Sequence, residues 1–454
     1  MKTFDEIYIL DLHGNSLKRE TTPDGGKDEN VFDIRQGVAI VLFIKSRESE
    51  KLQISQADIY GLRAEKYKWL NHNTYATCTY PDVKPESPYY FFIQRNVENI
   101  SHYLNWMKVN EIFPINSVGI VTSRDNFVID FDKQSLLNKV RNFLNLSLSN
   151  ELLAETYNLR EKSTWKISDA RRELKNLDEL EPYIKRILYR PFDYRYIFYH
   201  NSLIERMRED VMHHMIDGKN LGLITARSNK SNEMNHFFIT DKIMETKCGE
   251  RTTQSALFPL YLYPEEKKPE LFITDKTSNL SNDILNKIHS IIDISMTPEE
   301  IISYMYGVFY SNIFRQKYYE YIRIDFPRVP FTSNINIFTQ LKNLGQELID
   351  LHLLKSDKLD NPKIKFEGQG NVLTINQPKY VSSQNKLFIN DNYHFSNVLQ
   401  SVWDYEIGGY QVIKRFLRYR KGQQMNNPRQ LIHIGTAIEK TIEIQKEIDA
   451  IYPE

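Results

Sequence analysis

The stretch that decides the fold reads FDEIYILDLHGNSLKRE at residues 4–20 and NVFDIRQGVAIVLFIK at residues 30–45. The apolar run at 7–10 leads into a polar turn at 11–15, which predicts a strand that ends in a loop. A second β-rich run covers 37–44 after a loop rich in Gly and Asp. Two buried strands cannot form a stable sheet alone. We therefore expect them to be the late strands of a sheet whose earlier strands are missing.

Composition sets the limits of the function. The chain has 454 residues, enough for roughly two to four domains. Lys plus Arg equals Asp plus Glu at 59 each, so the formal net charge is zero. This balance excludes a uniformly basic nucleic-acid binder, but it leaves room for a local basic face.

The cysteine pattern and the hydropathy point to a soluble cytoplasmic protein. Cys78 and Cys248 are the two cysteines, and they match no metal-ligand spacing. Their distance in sequence favours reduced thiols over a disulfide framework. No apolar run is long enough to span a bilayer, and the charged start has no signal-peptide core. We therefore expect no membrane partner.

Residues 281–321 show helical periodicity. Thr297 is the expected N-cap of the second helix there, with Pro298 in its first turn. Glu299 and Glu300 would lie near the positive end of the helix dipole. The charged stretch at 264–270 predicts an exposed linker, since its charges leave nothing to bury.

Five segments of this chain resemble, in the same order, a region of the single-chain restriction-modification DNA adenine methyltransferases of type ISP and type IIG. In that family they follow a cofactor-binding glycine loop and an Asn-Pro-Pro-Tyr motif, and this sequence has neither. Each segment is short, but together they span nearly the whole chain. They are the opening strands at 4–45, GIVTSRD at 119–125, RPFDYRYIFYH through LGLITAR at 190–227, YYEYIRIDFPRVPF at 318–331 and VWDYEIGGYQVIKRFLRYRKGQQM at 402–425.

The resemblance implies a mixed α/β fold. A remnant of a Rossmann-like methyltransferase sheet would be followed by an α+β target recognition domain and a helical tail. We assign residues 1–50 to the truncated methyltransferase core and 51–110 to a connecting extension. Residues 111–395 would form the target recognition domain with a helical insert at about 281–355, and 396–454 the tail.

The resemblance also implies a function. The chain would recognise a specific sequence in double-stranded DNA for an adenine-N6 methyltransferase and endonuclease. Family members transfer a methyl group from S-adenosylmethionine to a flipped-out adenine. We expect this chain alone to bind no cofactor and to hold no catalytic residue, and the complete enzyme to use S-adenosylmethionine. Two alternatives stay open: an inactive orphan fragment, or a subunit that assembles with an upstream methyltransferase and nuclease polypeptide at the exposed edge of the first strands.

Three segments carry the predicted DNA contacts. In GIVTSRD, Arg124 could pair with guanine or a phosphate while Asp125 holds its guanidinium, and Thr122 lies beside them. The alternative is an internal Arg-Asp pair that closes a turn. The polar loops SNKSNEMN and TKCGERTTQSA suit contacts with base edges, Gln254 with adenine and Arg251 with guanine. The further candidates in and beside these loops are Arg227, Lys230, Lys247 and Ser255.

The third segment is the basic run KRFLRYRKGQQ at 414–424. Such a run can neutralise phosphates, and cations are also favoured at a helix C-terminus by the dipole alone. The candidates here are Lys414, Arg418, Arg420 and Lys421. Gly408 and Gly409 precede the run and indicate a close backbone approach. His213 and His214 lack metal-ligand spacing, so we predict no metal site.

Overall fold

The computed structural model describes residues 3–16, 20–45, 52–87, 89–93, 100–216, 218–231, 233–264, 276–292 and 294–452. It divides into two compact units, Met1–Ile100 and Ser101–Glu454. Apart from Pro264, the predicted linker at 264–270 lies outside the described residues. Among the helices of the described residues, none is long and apolar enough to cross a membrane.

The first unit is built on a small mixed sheet. Its elements are β1 (Glu6–Asp11), β2 (Ala39–Ile44), β3 (Gln53–Asp58) and α1 (Arg63–His72). β1 is the central strand, antiparallel to β2 and parallel to β3. Both strands predicted from the opening stretch are present, but β2 is exposed, whereas the sequence predicted two buried strands. Alternate residues of β1 are buried with neighbours from β3 and the segment after α1, and this cluster comprises Ile7, Ile9, Ile54 and Val83.

A buried ion pair ties the loops of this unit to α1. Lys66 Nζ lies 2.7 Å from Asp28 Oδ1, and both side chains are fully buried. Lys66 also donates to the carbonyl of Leu12, while Asp28 accepts from the backbone N–H groups of Gly14 and Gly61. A buried pair is tolerated only when further hydrogen bonds satisfy both partners. These bonds fix the loops that follow β1 and β3.

The second unit contains many short strands. They are β4 (Met107–Lys108), β5 (Ser117–Val118), β6 (Ile129–Asp130), β7 (Ile184–Arg190), β8 (Asp193–Phe198), β9 (Gly222–Ala226), β10 (Phe238–Thr240), β11 (Ile243–Met244), β12 (Ser255–Pro259), β13 (Tyr261–Leu262), β14 (Thr277–Ser278), β15 (Arg328–Val329), β16 (Lys365–Gly368), β17 (Lys379–Val381), β18 (Lys386–Phe388), β19 (Tyr393–Ser396), β20 (Glu406–Ile407) and β21 (Tyr410–Gln411). Four-stranded sheets form in the orders β10-β9-β12-β5, β11-β7-β8-β6 and β16-β19-β18-β17.

Helices surround and follow these sheets. They are α2 (Ile100–Asn105), α3 (Val109–Ile112), α4 (Asp125–Val128), α5 (Lys133–Leu144), α6 (Asn150–Tyr157), α7 (Ile167–Leu174), α8 (Glu209–Met212), α9 (Asn282–Ile292), α10 (Pro298–Tyr310), α11 (Asn312–Lys317), α12 (Tyr319–Ile322), α13 (Ile335–His352), α14 (Gln400–Asp404), α15 (Val412–Tyr419) and α16 (Pro428–Ile451). The predicted mixed α/β class and the helical C-terminal tail are confirmed.

Two segments have a local structure that the sequence pattern does not reveal. RPFDYRYIFYH contains the turn of the β7–β8 hairpin, where Phe192 has a φ of +63°. After GIVTSRD, α4 occupies residues 125–128 and leaves β6 only two residues long. Local side-chain pattern cannot reveal a positive φ at a bulky residue, because such a conformation is set by the surrounding packing.

The α10–α13 pair forms much of the helical core. The predicted cap is confirmed: Thr297 Oγ1 accepts from the Glu300 backbone N–H at 3.2 Å, and the Glu300 carboxylate accepts from the Thr297 N–H at 3.0 Å. The two helices cross at Gly345, where a Cβ would lie 1.8 Å from the Ser303 carbonyl oxygen. The crossing distance therefore requires glycine.

Gly345→Ala tests this crossing. The added methyl has to displace a helix backbone, and overpacking of this kind costs about 1–3 kcal/mol. In a helix without such a contact, the same change would stabilise by up to about 1 kcal/mol, so the sign of the effect is diagnostic. We expect a lower denaturant midpoint for Gly345→Ala and little change for Asn343→Ala, an exposed position on the same helix. An unchanged or raised midpoint for Gly345→Ala would contradict the close crossing.

Candidate nucleic-acid interface

Two polar loops leave the same end of one sheet. β9 and β12 are antiparallel neighbours, and their register pairs Ala226 with Ser255. Loop A (residues 227–235, with 232 outside the described residues) follows β9, and loop B (residues 247–254) precedes β12. The first residue of loop A and the last of loop B therefore emerge side by side. The strand register, rather than either loop sequence, brings the two predicted loops together.

Direct hydrogen bonds join loop A to loop B. The Lys230 backbone N–H donates to Thr252 Oγ1 at 3.2 Å. Thr253 Oγ1 donates to the Ser228 carbonyl at 2.5 Å. Because these bonds use backbone groups and small hydroxyls, they do not involve the side chains of Lys230, Arg251 and Gln254, which are exposed.

A third segment, the β20–β21 hairpin, packs against both loops. Gly408 has a φ of +55°, and a Cβ there would lie 1.8 Å from the Gly249 carbonyl oxygen. The Arg251 N–H donates to the Gly408 carbonyl at 3.0 Å, and the Gly408 N–H donates to Asn235 Oδ1 at 3.0 Å. The close backbone approach predicted for the Gly408-Gly409 pair is confirmed. We call the surface of loop A, loop B and this hairpin the composite face.

The composite face presents side chains of the kind that contact DNA. Arg227 retains 78% of its side-chain exposure although its Nε lies 3.6 Å from Asp325 Oδ1. Lys247 is half-buried, with Tyr410 donating to its carbonyl. The other predicted loop residues on the exposed surface are Lys230, Arg251 and Gln254. The guanidinium groups of Arg227 and Arg251 and the amide of Gln254 can each form paired hydrogen bonds with base edges.

The basic helix α15 continues from the hairpin. Lys414, Arg418 and Lys421 are exposed. Burial raises the pKa of Glu406 and Glu233 raises it further, while Arg251 and Lys414 oppose this rise. Glu406 therefore lies close enough to interact electrostatically with both Arg251 of loop B and Lys414 of α15.

Arg420, in contrast, is anchored inside the protein. Its Nη2 lies 2.7 Å from the buried Asp193, which also pairs with Arg195 at 2.7 Å. Burial opposes ionisation of Asp193, but Arg420 and Arg195 outweigh burial and lower its pKa. The Arg420 guanidinium also lies 3.5 Å from the centre of the Phe416 ring. Arg420 therefore fixes the end of α15 to β8. Unlike Lys414, Arg418 and Lys421, it is not an exposed cation.

The GIVTSRD residues are likewise placed inside. Arg124 is buried, its guanidinium 3.6 Å from the centre of the Trp165 ring, and it donates to the Leu203 carbonyl at 3.0 Å. Burial lowers the pKa of Arg124. Asp125 accepts from Tyr189 at 2.8 Å and from Thr122, which is itself buried. Arg124 is therefore not exposed for contact with DNA, as one prediction had it. It also forms no ion pair with Asp125, as the alternative had it.

Ser255 is also buried, as the first residue of β12. Its hydroxyl accepts from the Gly249 N–H at 3.0 Å. Thr122, Arg124, Asp125, Ser255 and Arg420 are therefore absent from the composite face, and we leave them out of the proposal below.

Sequence reasoning missed the residues that hold the composite face together. Glu250 is fully buried, and its carboxylate accepts hydrogen bonds from the Thr252 hydroxyl and the Thr253 backbone N–H. The order Glu-x-Thr-Thr was the available signal, since short hydroxyl side chains bond to nearby groups in turns. Asn235, which binds Gly408 with its side chain, gave no comparable local signal.

The described residues contain one cluster with metal-ligand distances, and it lies in the first unit. Ligand atoms of Asp11, His13 and Asp58 are within 4.8 Å of one another. His13 Nε2 lies 2.8 Å from Asp58, and Nδ1 lies 3.0 Å from Glu20. Through these contacts His13 links the loop after β1 to Asp58, the last residue of β3.

Solved structures of protein–DNA complexes share this fold. The chain aligns with an ATP-dependent Type ISP restriction-modification enzyme, LlaBIII, bound to DNA (TM-score 0.73, 21% identity, 100% of this chain and 32% of that one). It also aligns with a DrdV-DNA complex (0.71, 20%, 98% and 48%). A nuclease-deletion mutant of the Type ISP enzyme LlaGI with a DNA substrate mimic gives similar values (0.69, 19%, 99% and 37%). This chain thus spans less than half the length of each.

No curated protein matches the chain. A family model described as the Type ISP C-terminal specificity domain matches residues 111–448. This match covers most of the second unit and includes loop A, loop B, the β20–β21 hairpin and α15. The predicted resemblance is confirmed, and the chain belongs to the Type ISP C-terminal specificity domain family.

Proposed function

We propose that this chain recognises a specific sequence of double-stranded DNA on behalf of a restriction-modification enzyme, and that the composite face reads the bases. The observation that carries the proposal is the convergence of loop A, loop B and the β20–β21 hairpin, which together expose Arg227, Lys230, Arg251 and Gln254. Membership of a specificity-domain family supports it, as does the fold shared with DNA-bound enzymes.

Base readout and backbone contact fall to different residues in this proposal. Arg251 can donate two hydrogen bonds to guanine, and Gln254 can pair with adenine. Lys414, Arg418 and Lys421 neutralise phosphates and set the position of the duplex. The proposed site is local, because the chain as a whole has no net charge.

A further proposal concerns the open edge of the first unit. β2 pairs with β1, and no strand of the described residues pairs with its other edge. Ile40, Leu42 and Phe43 are 42%, 38% and 55% exposed. An exposed apolar edge strand is a template for another strand. We propose that a strand of a methyltransferase core pairs there, within the same polypeptide or from a separate subunit.

S-adenosylmethionine would bind to that methyltransferase core. The glycine turn after β1 does not fit a cofactor, because a Cβ on Gly14 would lie 2.4 Å from Asn30 Cα, and Asp28 already accepts from the Gly14 N–H. This sequence also lacks the glycine loop and the Asn-Pro-Pro-Tyr motif. We therefore assign no catalytic or cofactor-binding residue to this chain. The two free cysteines support our proposal that it works in the cytoplasm.

The first test selects from a pool of randomised duplex DNA at moderate salt. We expect enrichment of one motif, and Arg251→Ala should weaken binding to it by about 1–3 kcal/mol and relax the preference at one position. Arg172→Ala is the matched control, because Arg172 is a 76% exposed arginine on α7. Selection of no motif by the wild-type chain would refute autonomous sequence recognition.

The second test measures the salt dependence of binding. The triple substitution Lys414→Ala, Arg418→Ala and Lys421→Ala should weaken binding to all sequences alike. It should also reduce the slope of log K against log salt by about 0.9 for each lost phosphate contact. The control replaces the exposed Lys133, Arg172 and Lys175 by alanine. An unchanged slope in the α15 variant would show that α15 does not contact the DNA backbone.

The third test examines the edge of β2. We expect its amide groups to gain hydrogen-exchange protection when the chain is mixed with a polypeptide that carries a methyltransferase core. Leu42→Lys should weaken the complex about tenfold, since a charge on an edge strand opposes pairing. Leu146→Lys, at a 70% exposed position in the second unit, is the control. Unchanged exchange in β2 would contradict the proposed pairing.

A further inference from the structure

We propose that Glu250 is a positioning residue for base readout, whose buried carboxylate holds Arg251 and Gln254 of loop B in the arrangement that reads DNA. The inference rests on the proposed function, and it identifies the residue that holds the loops of the composite face in a fixed conformation. Glu250 itself is fully buried and does not touch DNA in this arrangement.

The Glu250 carboxylate is unusual for a polar loop, because it is buried without a cationic partner among the described residues. In the part of the chain that the structure describes, no Lys or Arg forms an ion pair with it. Its acceptors are used by loop groups instead: Thr252 Oγ1 donates to Oε1 at 2.8 Å, and the Thr253 backbone N–H donates to Oε2. Thr253 Oγ1 lies 2.9 Å from Oε2, and Ser231 Oγ lies 3.5 Å from Oε1. A buried carboxylate needs such donors, so loop B wraps around it.

The same hydroxyls extend from Glu250 to loop A. A threonine hydroxyl has one proton to donate and lone pairs to accept. Thr252 uses both roles, donating to Glu250 and accepting from the Lys230 N–H at 3.2 Å. Thr253 Oγ1 lies close to Glu250 and also 2.5 Å from the Ser228 carbonyl. Glu250 is therefore the centre from which both loops are joined.

Arg251 lies between these fixed points. Its neighbours in sequence are Glu250 and Thr252, and its own N–H donates to the Gly408 carbonyl at 3.0 Å. The Arg251 backbone is therefore held on both sides while its side chain is exposed. Gln254 is exposed as well and directly precedes Ser255, the first residue of β12. A loop that is ordered before binding loses less conformational entropy when it binds. The affinity gained in this way is largest for contacts that need exact placement, such as hydrogen bonds to base edges.

The test compares Glu250→Gln with the wild-type chain on the selected motif and on unrelated duplex DNA. Glutamine keeps the shape, but it puts an amide donor where the carboxylate accepts from other donors. We expect affinity for the motif to fall about tenfold, the size of one lost base contact, with non-specific affinity and the salt slope unchanged. Asp449→Asn is the matched control, because the Asp449 carboxylate accepts from Ser311 and Asn312 in the helical part of the unit.

A second pair of variants covers the case in which Glu250→Gln does not fold. Thr252→Val removes the hydroxyl that joins Glu250 to Lys230, whereas Thr252→Ser keeps it. We expect the valine variant to lose motif preference about tenfold and the serine variant to retain it. A merely structural role would lower thermal stability without changing the ratio of specific to non-specific affinity.

The outcomes separate the inference from the proposed function. If the wild-type chain selects a motif and Glu250→Gln or Thr252→Val keeps the full affinity ratio, the positioning role of Glu250 is refuted and the proposed function stands. Equal loss on specific and unrelated DNA refutes the role as well. If the wild-type chain selects no motif, the proposed function fails and the inference fails with it.

Discussion

The contact between the Gly408 and Gly249 backbones is the constraint on which the composite face depends. The Gly408 Cα approaches the Gly249 carbonyl so closely that a Cβ would lie 1.8 Å from the oxygen. Gly408 also needs a left-handed φ of +55°. The close approach excludes residues with a side chain, and the left-handed φ also favours glycine. Because the β20–β21 hairpin docks here, α15, which follows it directly, is carried to the same side of the unit as loop B.

The arginines of the second unit divide into two groups that sequence alone does not separate. Arg124, Arg195 and Arg420 have their guanidinium groups over aromatic rings at 3.6, 3.8 and 3.5 Å. A planar guanidinium is weakly hydrated and can stack while it pairs with a carboxylate, so it can serve as a core group. Arg251 and Arg418 are exposed. The first group builds the scaffold, and the second is free to bind a ligand.

This division explains how far the sequence could lead. The strands at 7–10 and 37–44, the Thr297 cap and the order of the family segments were readable, because each depends on local pattern. The burial of Arg124 was not, because it depends on Trp165, which lies far along the chain. The meeting of loops A and B was also hidden, since it follows from the Ala226–Ser255 register. Contacts between distant residues decide which polar groups stay exposed.

Because the chain has no net charge, binding depends strongly on how well its loops are held in place. A strongly basic protein is drawn to DNA from a distance and binds many sequences by counterion release alone. This chain has as many acidic as basic side chains. Glu406 of the hairpin lies close to the carboxylates of Glu233 and Asp404 as well as to the cations Arg251 and Lys414. These carboxylates reduce the non-specific attraction there. Affinity then has to come from well-placed contacts, and a face of this kind gains more from a buried group that fixes its loops than from further positive charge.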